Sequence, residues 1–287
     1  MDYKSKYLNA SNGRIYYETS PGKPTITFIP GAWVNMTSLN RIRQFFAEKG
    51  YGTMAMDLRG HGKSSYIKYP GDFSLNNCCN DLENIIDKEK IKKPILVGYS
   101  AGGMVAQQYA YEHKDISALT LLATSYNFAK TFQRGLGRNI FFWLNQIALK
   151  FAVGFNRLIS KKEKTYPIYT QKHPRNKSTI HFILDCLCNS HPDTILNYKI
   201  VTDAIIKWDT YDILKKINAP TQVIAAEHDV LMPTPTPYEL AGLLSNCKNL
   251  TIIENTTHSL PFTHPIKTAN AIEEFLNSYA KQKSLKK

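Results

Sequence analysis

Short apolar runs alternate along this chain with longer stretches in which apolar positions recur every three or four residues, the two periods that separate strands from helices. Thr25-Ile26-Thr27-Phe28-Ile29, Thr53-Met54-Ala55-Met56, Pro94-Ile95-Leu96-Val97 and Leu250-Thr251-Ile252-Ile253 read as strands. Ala118-Leu119-Thr120-Leu121-Leu122 and Thr221-Gln222-Val223-Ile224-Ala225-Ala226 are apolar enough for strands buried on two faces. Helices are expected over residues 37–49, with Leu39, Ile42, Phe45 and Phe46 on one face and Gly50 as the stop, and from Ser74 through Leu75, Cys79, Leu82, Ile85 and Ile86. Others are expected from Gly103 to Ala110 and from Pro265 to about Tyr279. Near the start, two short strands flank Asn12-Gly13, whose tolerance of positive φ suits the centre of a tight hairpin. The alternation predicts an α/β fold with a mostly parallel sheet flanked by helices.

Between Ser125 and about Trp208 the strand signal stops. Ile140, Trp143, Leu144, Ile147, Phe151, Phe155, Leu158 and Ile159 keep helical spacing, and Asn145, Lys150 and Arg157 break any reading as a membrane span. This stretch is expected to be a helical insertion at 125–208, with residues 1–124 and 209–287 forming one core domain.

A formal charge of +13 suggests a nucleic-acid partner until it is located. Residues 127–207 carry 13 Lys/Arg against 4 Asp/Glu and the tail from Ala280 adds four lysines, while the remainder is balanced at 19 of each sign. Any partner chosen by charge should therefore meet the insertion or the tail. No recognised motif or aromatic platform accompanies the excess, so no nucleic acid is expected. The five cysteines, Cys78, Cys79, Cys186, Cys188 and Cys247, are odd in number and lack metal spacing, which favours free thiols and no metal. Neither an N-terminal apolar h-region nor a run of about 18 apolar residues is present, so a cytoplasmic place is expected.

The chemistry centres on Gly98-Tyr99-Ser100-Ala101-Gly102, where an apolar strand breaks off at a serine and a helix follows. A sharp strand-to-helix turn exposes the Ser100 hydroxyl, needs small neighbours at Gly98 and Gly102, and aims the N-terminus of the helix at any oxyanion formed there. Serine is a weak nucleophile near neutral pH, so a base and an orienting acid are required. Asp229 and His258 each follow a predicted strand, and in a parallel sheet the carboxyl ends of strands lie along one edge. Glu227 is a less well placed alternative to Asp229. His61 is read as packing in a glycine-rich turn, His264 as capping a helix, and Asp57 and Arg59 as making a buried turn interaction.

Together with Phe28-Ile29-Pro30-Gly31-Ala32-Trp33, Asp57-Leu58-Arg59-Gly60-His61-Gly62-Lys63-Ser64, His228-Asp229-Val230-Leu231-Met232-Pro233 and His258 followed by His264-Pro265, these motifs make the chain resemble the α/β-hydrolase superfamily. The resemblance covers nearly everything outside the insertion. It implies the α/β-hydrolase fold with a helical cap inserted late in the chain, Ser100 as nucleophile, His258 as base and then acid, and Asp229 as the group orienting its imidazole. It also implies an oxyanion hole from the backbone N–H groups of Ala32 and Ala101. The family often has His-Gly where this chain has Pro30-Gly31, which leaves Ala32 or Trp33 open as the second donor.

The expected activity is a cofactor-independent serine hydrolase of a carboxylic ester, with Trp33, Tyr99 and Trp143 as candidate pocket residues. A thioester, a lactone or a carbon–carbon bond between ketone groups would use the same triad, and a non-catalytic ligand receptor is the rival of another class. Epoxide hydrolases and haloalkane dehalogenases need a carboxylate where Ser100 stands. Two readings remain for the apolar stripe and the following Lys161-Lys162-Glu163-Lys164. The preferred one is a cap helix packed on its own protein; the other is a helix lying on an anionic bilayer and making peripheral membrane contact.

Overall fold

The computed structural model describes residues 3–65, 67, 69–133 and 192–284. Eight strands form one sheet: β1 (Lys4–Ala10), β2 (Gly13–Ser20), β3 (Thr25–Ile29), β4 (Gly52–Met56), β5 (Ile95–Tyr99), β6 (Ala118–Leu122), β7 (Thr221–Ala226) and β8 (Cys247–Ile253). Their order is β1-β2-β4-β3-β5-β6-β7-β8. The pairs β1/β2 and β2/β4 are antiparallel; all others are parallel. Helices α1 (Asn40–Glu48), α2 (Leu75–Lys88), α3 (Ala101–Glu112), α4 (Phe128–Gln133), α5 (Pro192–Ile205), α6 (Tyr211–Leu214), α7 (Thr236–Leu243), α8 (Leu260–Thr263) and α9 (Pro265–Ser284) complete the described elements.

Two cores sandwich the sheet because alternate strand residues point to opposite faces. Leu96 and Leu119 join Leu82, Ile85, Met104 and Val105 of α2 and α3 on one face. Val97 and Leu122 join Ile42, Phe46, Ile272 and Phe275 of α1 and α9 on the other. Residues of β5, β6 and β7 are buried throughout, which is why those strands read as continuous apolar runs. α2 begins where the Ser74 hydroxyl accepts the Asn77 N–H, satisfying one orphan donor of the first turn.

Three sequence expectations shift. Ala10 pairs with Gly13, so the hairpin loop is Ser11-Asn12 and Gly13, at φ 150°, opens β2. Tertiary contacts set this register: a Cβ on Gly13 would stand 2.5 Å from that of Ser65, and the Asn12 amide donates to Asp72 at 2.6 Å. The last helix runs past Tyr279 to Ser284, since no glycine or proline stops it. Asp57 and Arg59 are both buried but do not share an interaction. Arg59 instead grips Asp81 of α2 through two bonds of 2.5 and 2.7 Å. Removing one member of such a pair strands a buried charge at a cost of about 3–5 kcal/mol.

Around the expected insertion the chain is drawn together by an isolated antiparallel bridge between Asn127 and Asp209. The Asn127 amide donates to the Asp209 carboxylate at 2.6 Å, and the Thr210 N–H donates to the Tyr126 carbonyl at 2.9 Å. Both ends of the 125–208 stretch pack into the α2/α3 core through Tyr126, Phe128, Ile200, Val201, Ile205 and Trp208. Trp143, the stripe from Ile140 to Ile159 and Lys161 to Lys164 lie outside the described residues, as do Cys186 and Cys188. Cys78, Cys79 and Cys247 are free thiols. Among the described residues no helix is long and apolar enough to cross a membrane, and no cluster of His, Cys, Asp or Glu could hold a metal ion.

Candidate active site

Strand β5 ends at Tyr99 and α3 begins at Ala101, leaving Ser100 alone at the bend with φ 52° and ψ −121°. A non-glycine residue in that region is strained, and the neighbours over-determine it. Ser100 donates its N–H to the Leu122 carbonyl at 2.9 Å, while its own carbonyl accepts the Thr124 hydroxyl at 2.6 Å and the Gly103 N–H at 2.9 Å. Both flanking glycines are required by close approach. A Cβ on Gly98 would stand 2.5 Å from the Gly102 carbonyl oxygen across the bend. One on Gly102 would stand 2.3 Å from that of Pro30, so the second glycine makes room for the loop after β3 as much as for the turn itself.

The carboxyl edge of the sheet gathers the other two residues as the topology requires. Asp229 follows β7 and His258 follows β8, and the two loops are tied by the His228 N–H donating to the Thr256 carbonyl at 2.8 Å. His258 Nε2 lies 3.0 Å from Ser100 Oγ, and His258 Nδ1 lies 2.8 Å from Asp229 Oδ2. The remaining oxygen, Asp229 Oδ1, accepts the N–H groups of Leu231 and Met232, both at 2.8 Å. All three side chains are buried. A carboxylate can only accept, so Nδ1 facing Oδ2 carries the histidine proton, which leaves the Nε2 lone pair facing the Ser100 hydroxyl.

Other sequence candidates fall elsewhere. Glu227 faces away from this relay: its carboxylate accepts the Asn255 N–H at 2.8 Å and lies 3.4 Å from His228. His264 ends α8, with its carbonyl accepting the Thr268 N–H of α9. Tyr99 is buried beside the histidine rather than set in an open wall, with its hydroxyl donating to the His258 carbonyl at 2.9 Å and its ring 5.3 Å from the imidazole. Thr124 is a supporting residue that sequence reasoning passed over. Its only signal is its place two residues beyond the end of the strand next to β5.

The loop after β3 lies against the nucleophile. A Cβ on Gly31 would stand 3.0 Å from that of Ser100. The Trp33 N–H donates to His61 Nε2 at 2.9 Å, which commits one of the two backbone donors left open by the sequence. Ala101 opens α3, where backbone N–H groups have no partner within the helix. The arrangement can deprotonate a hydroxyl, attack a carbonyl and receive the charge that develops.

With this geometry established, comparison places the chain among known proteins. The family model described as the alpha/beta hydrolase fold matches residues 28–265. Human monoacylglycerol lipase ABHD6 is 25% identical over 273 residues, covering 90% of this chain and 77% of its own. Monoacylglycerol lipase abhd6-B of Xenopus laevis is 26% identical over 298 residues, covering 95% and 82%. An esterase structure from Exiguobacterium antarcticum superposes with a TM-score of 0.71 at 18% identity, covering 96% of this chain and all of its own.

Proposed function

From the premise that this chain belongs to the α/β-hydrolase family, we propose that it cleaves carboxylic esters through an acyl-enzyme on Ser100. It is a hydrolase of the lipase and esterase kind. The observation that carries the residue assignment is the relay from Ser100 Oγ to His258 Nε2 and from Nδ1 to Asp229. Ser100 attacks the acyl carbonyl as His258 takes its proton, and the oxyanion is received by the N–H groups of Ala32 and Ala101. Collapse expels the alcohol, which takes the proton from Nε2. Water activated by the same imidazole then releases the acid. No cofactor is needed for any of these steps.

Relatives named monoacylglycerol lipases support a small ester with one acyl chain as substrate. The drawing together of the chain at Asn127 and Asp209 supports residues 125–208 as a cap over the site, with Trp33 and Trp143 as pocket residues. A series of glycerol monoesters and simple aryl esters of increasing acyl length tests the reading: turnover with a chain-length optimum is expected. Turnover of thioesters, lactones or diketones alone would move the activity to another bond on the same triad, and no turnover of any would favour a receptor.

As a second reading beside a cap packed on its own protein, peripheral contact with anionic lipid fits the concentration of positive charge in residues 127–207 and in the tail. Co-sedimentation with anionic vesicles should then weaken as salt is added and when Lys161, Lys162 and Lys164 become Glu. Indifference to such vesicles at low salt would leave the cap as a lid only.

A further inference from the structure

The loop carrying the proposed Ala32 donor is held in an uncommon conformation by the loop that follows β4. Trp33 has φ 64°, a left-handed backbone that a bulky residue adopts only when its surroundings impose it. Two side chains of residues 57–63 do the imposing. Asp57 Oδ1 accepts the Met36 N–H at 2.8 Å, tying down one end of the loop, while Oδ2 accepts the Lys63 N–H at 2.8 Å within its own turn. His61 Nε2 accepts the Trp33 N–H at 2.9 Å near the other end.

The role of His61 depends on its proton. Nδ1 lies 2.7 Å from the Arg59 carbonyl oxygen, which can only accept, so Nδ1 carries the hydrogen and Nε2 presents a lone pair. Burial holds the imidazole pKa down at about 4, with the Arg59 carbonyl opposing part of that shift, so the ring stays neutral and able to accept. The ring packs 5.7 Å from Phe73, itself stacked on Trp208. Fixing the Trp33 N–H fixes the plane of the peptide between residues 32 and 33, and with it one of the two torsions that orient the Ala32 backbone against Ser100.

We propose that His61 is a positioning residue of the oxyanion hole, holding the Ala32 N–H in place by accepting the hydrogen bond of its neighbour Trp33. This rests on the acyl-enzyme reading above. The side chain touches no reacting atom, so its loss should weaken stabilisation of the transition state and leave binding of the ester little changed.

Two substitutions separate positioning from packing. His61→Gln keeps an acceptor at the reach of Nε2. His61→Asn keeps a donor near Nδ1 for the Arg59 carbonyl but falls short of Trp33. With active sites counted by fluorophosphonate labelling of Ser100, His61→Asn should lose about 10- to 100-fold in kcat at nearly constant KM, and affinity for a trifluoromethyl ketone should fall in parallel. His61→Gln should recover most of both. Labelled wild type with an unimpaired His61→Asn, or equal losses in the two variants, would overturn the proposal alone. Wild type that fails to label at Ser100 would sink the acyl-enzyme reading and this proposal with it. Should His61→Asn not fold, nitrogen NMR of the wild type decides: a coupling across the hydrogen bond between Trp33 N and His61 Nε2, with the proton on Nδ1, is expected, and a proton found on Nε2 refutes it.

Discussion

Ser100→Ala is expected to lower kcat on the best ester substrate by about 10⁴- to 10⁶-fold, the scale on which loss of a hydrolase nucleophile is felt. The reason is local. The hydroxyl is the atom facing His258 Nε2 at 3.0 Å, and without it the imidazole has no proton to take and the acyl group has nowhere to go. Any residual rate would come from the oxyanion hole and substrate binding acting on water. The change should not unfold the protein, since the backbone bonds from Ser100 to Leu122, Thr124 and Gly103 involve no Ser100 side-chain atom. Thermal midpoint and kcat, measured together, check both halves. Turnover near that of wild type would remove Ser100 from the mechanism.

Asp229→Asn is expected to cost about 10⁴-fold in kcat with little change in the fold, as loss of the orienting carboxylate does in other triads. Asp229 Oδ1 accepts two backbone N–H groups, from Leu231 and Met232. An asparagine must therefore turn its carbonyl oxygen to those donors and its NH₂ to His258. Two donors then face each other unless Nδ1 gives up its hydrogen, and the proton moves to Nε2, where it blocks acceptance from Ser100. The variant should bind substrate as wild type does, and histidine NMR should show the changed tautomer. An Asp229→Asn enzyme with wild-type kcat would show that the carboxylate does not orient the base.

How far the sequence disclosed this site depends on what each residue needs. Ser100, Asp229 and His258 stand just beyond apolar strands, and parallel pairing brings the ends of β5, β7 and β8 to one edge whatever the loops do. Their meeting could be argued without coordinates. The core helices were equally legible, because Ile42 with Phe46 and Leu82 with Ile85 repeat at helical spacing over long stretches. Less visible were features decided by contacts between segments far apart. The hairpin register follows from Ser65 and Asp72, more than 50 residues away from the turn, and no local pattern around Asn12 reports them. The partner of Arg59 is on α2, so nearness in sequence pointed to Asp57 instead. Tyr99 is an aromatic beside the nucleophile, which suggests a pocket wall, yet strand alternation turns it towards the α1/α9 face and under His258. His61 did look like packing in a tight turn. Its hydrogen bond to Trp33 spans 28 residues and depends on which ring nitrogen carries the proton.

The central claim is a covalent acyl group on Ser100, and it is read most directly by mass. Wild type mixed with a slowly deacylated ester, quenched within the first turnover and digested, should yield the peptide containing Ser100 heavier by the acyl group. Ser100→Ala should yield no such adduct. An acyl group found on any other residue, or ester turnover with no adduct at Ser100 when deacylation is rate-limiting, would contradict the account.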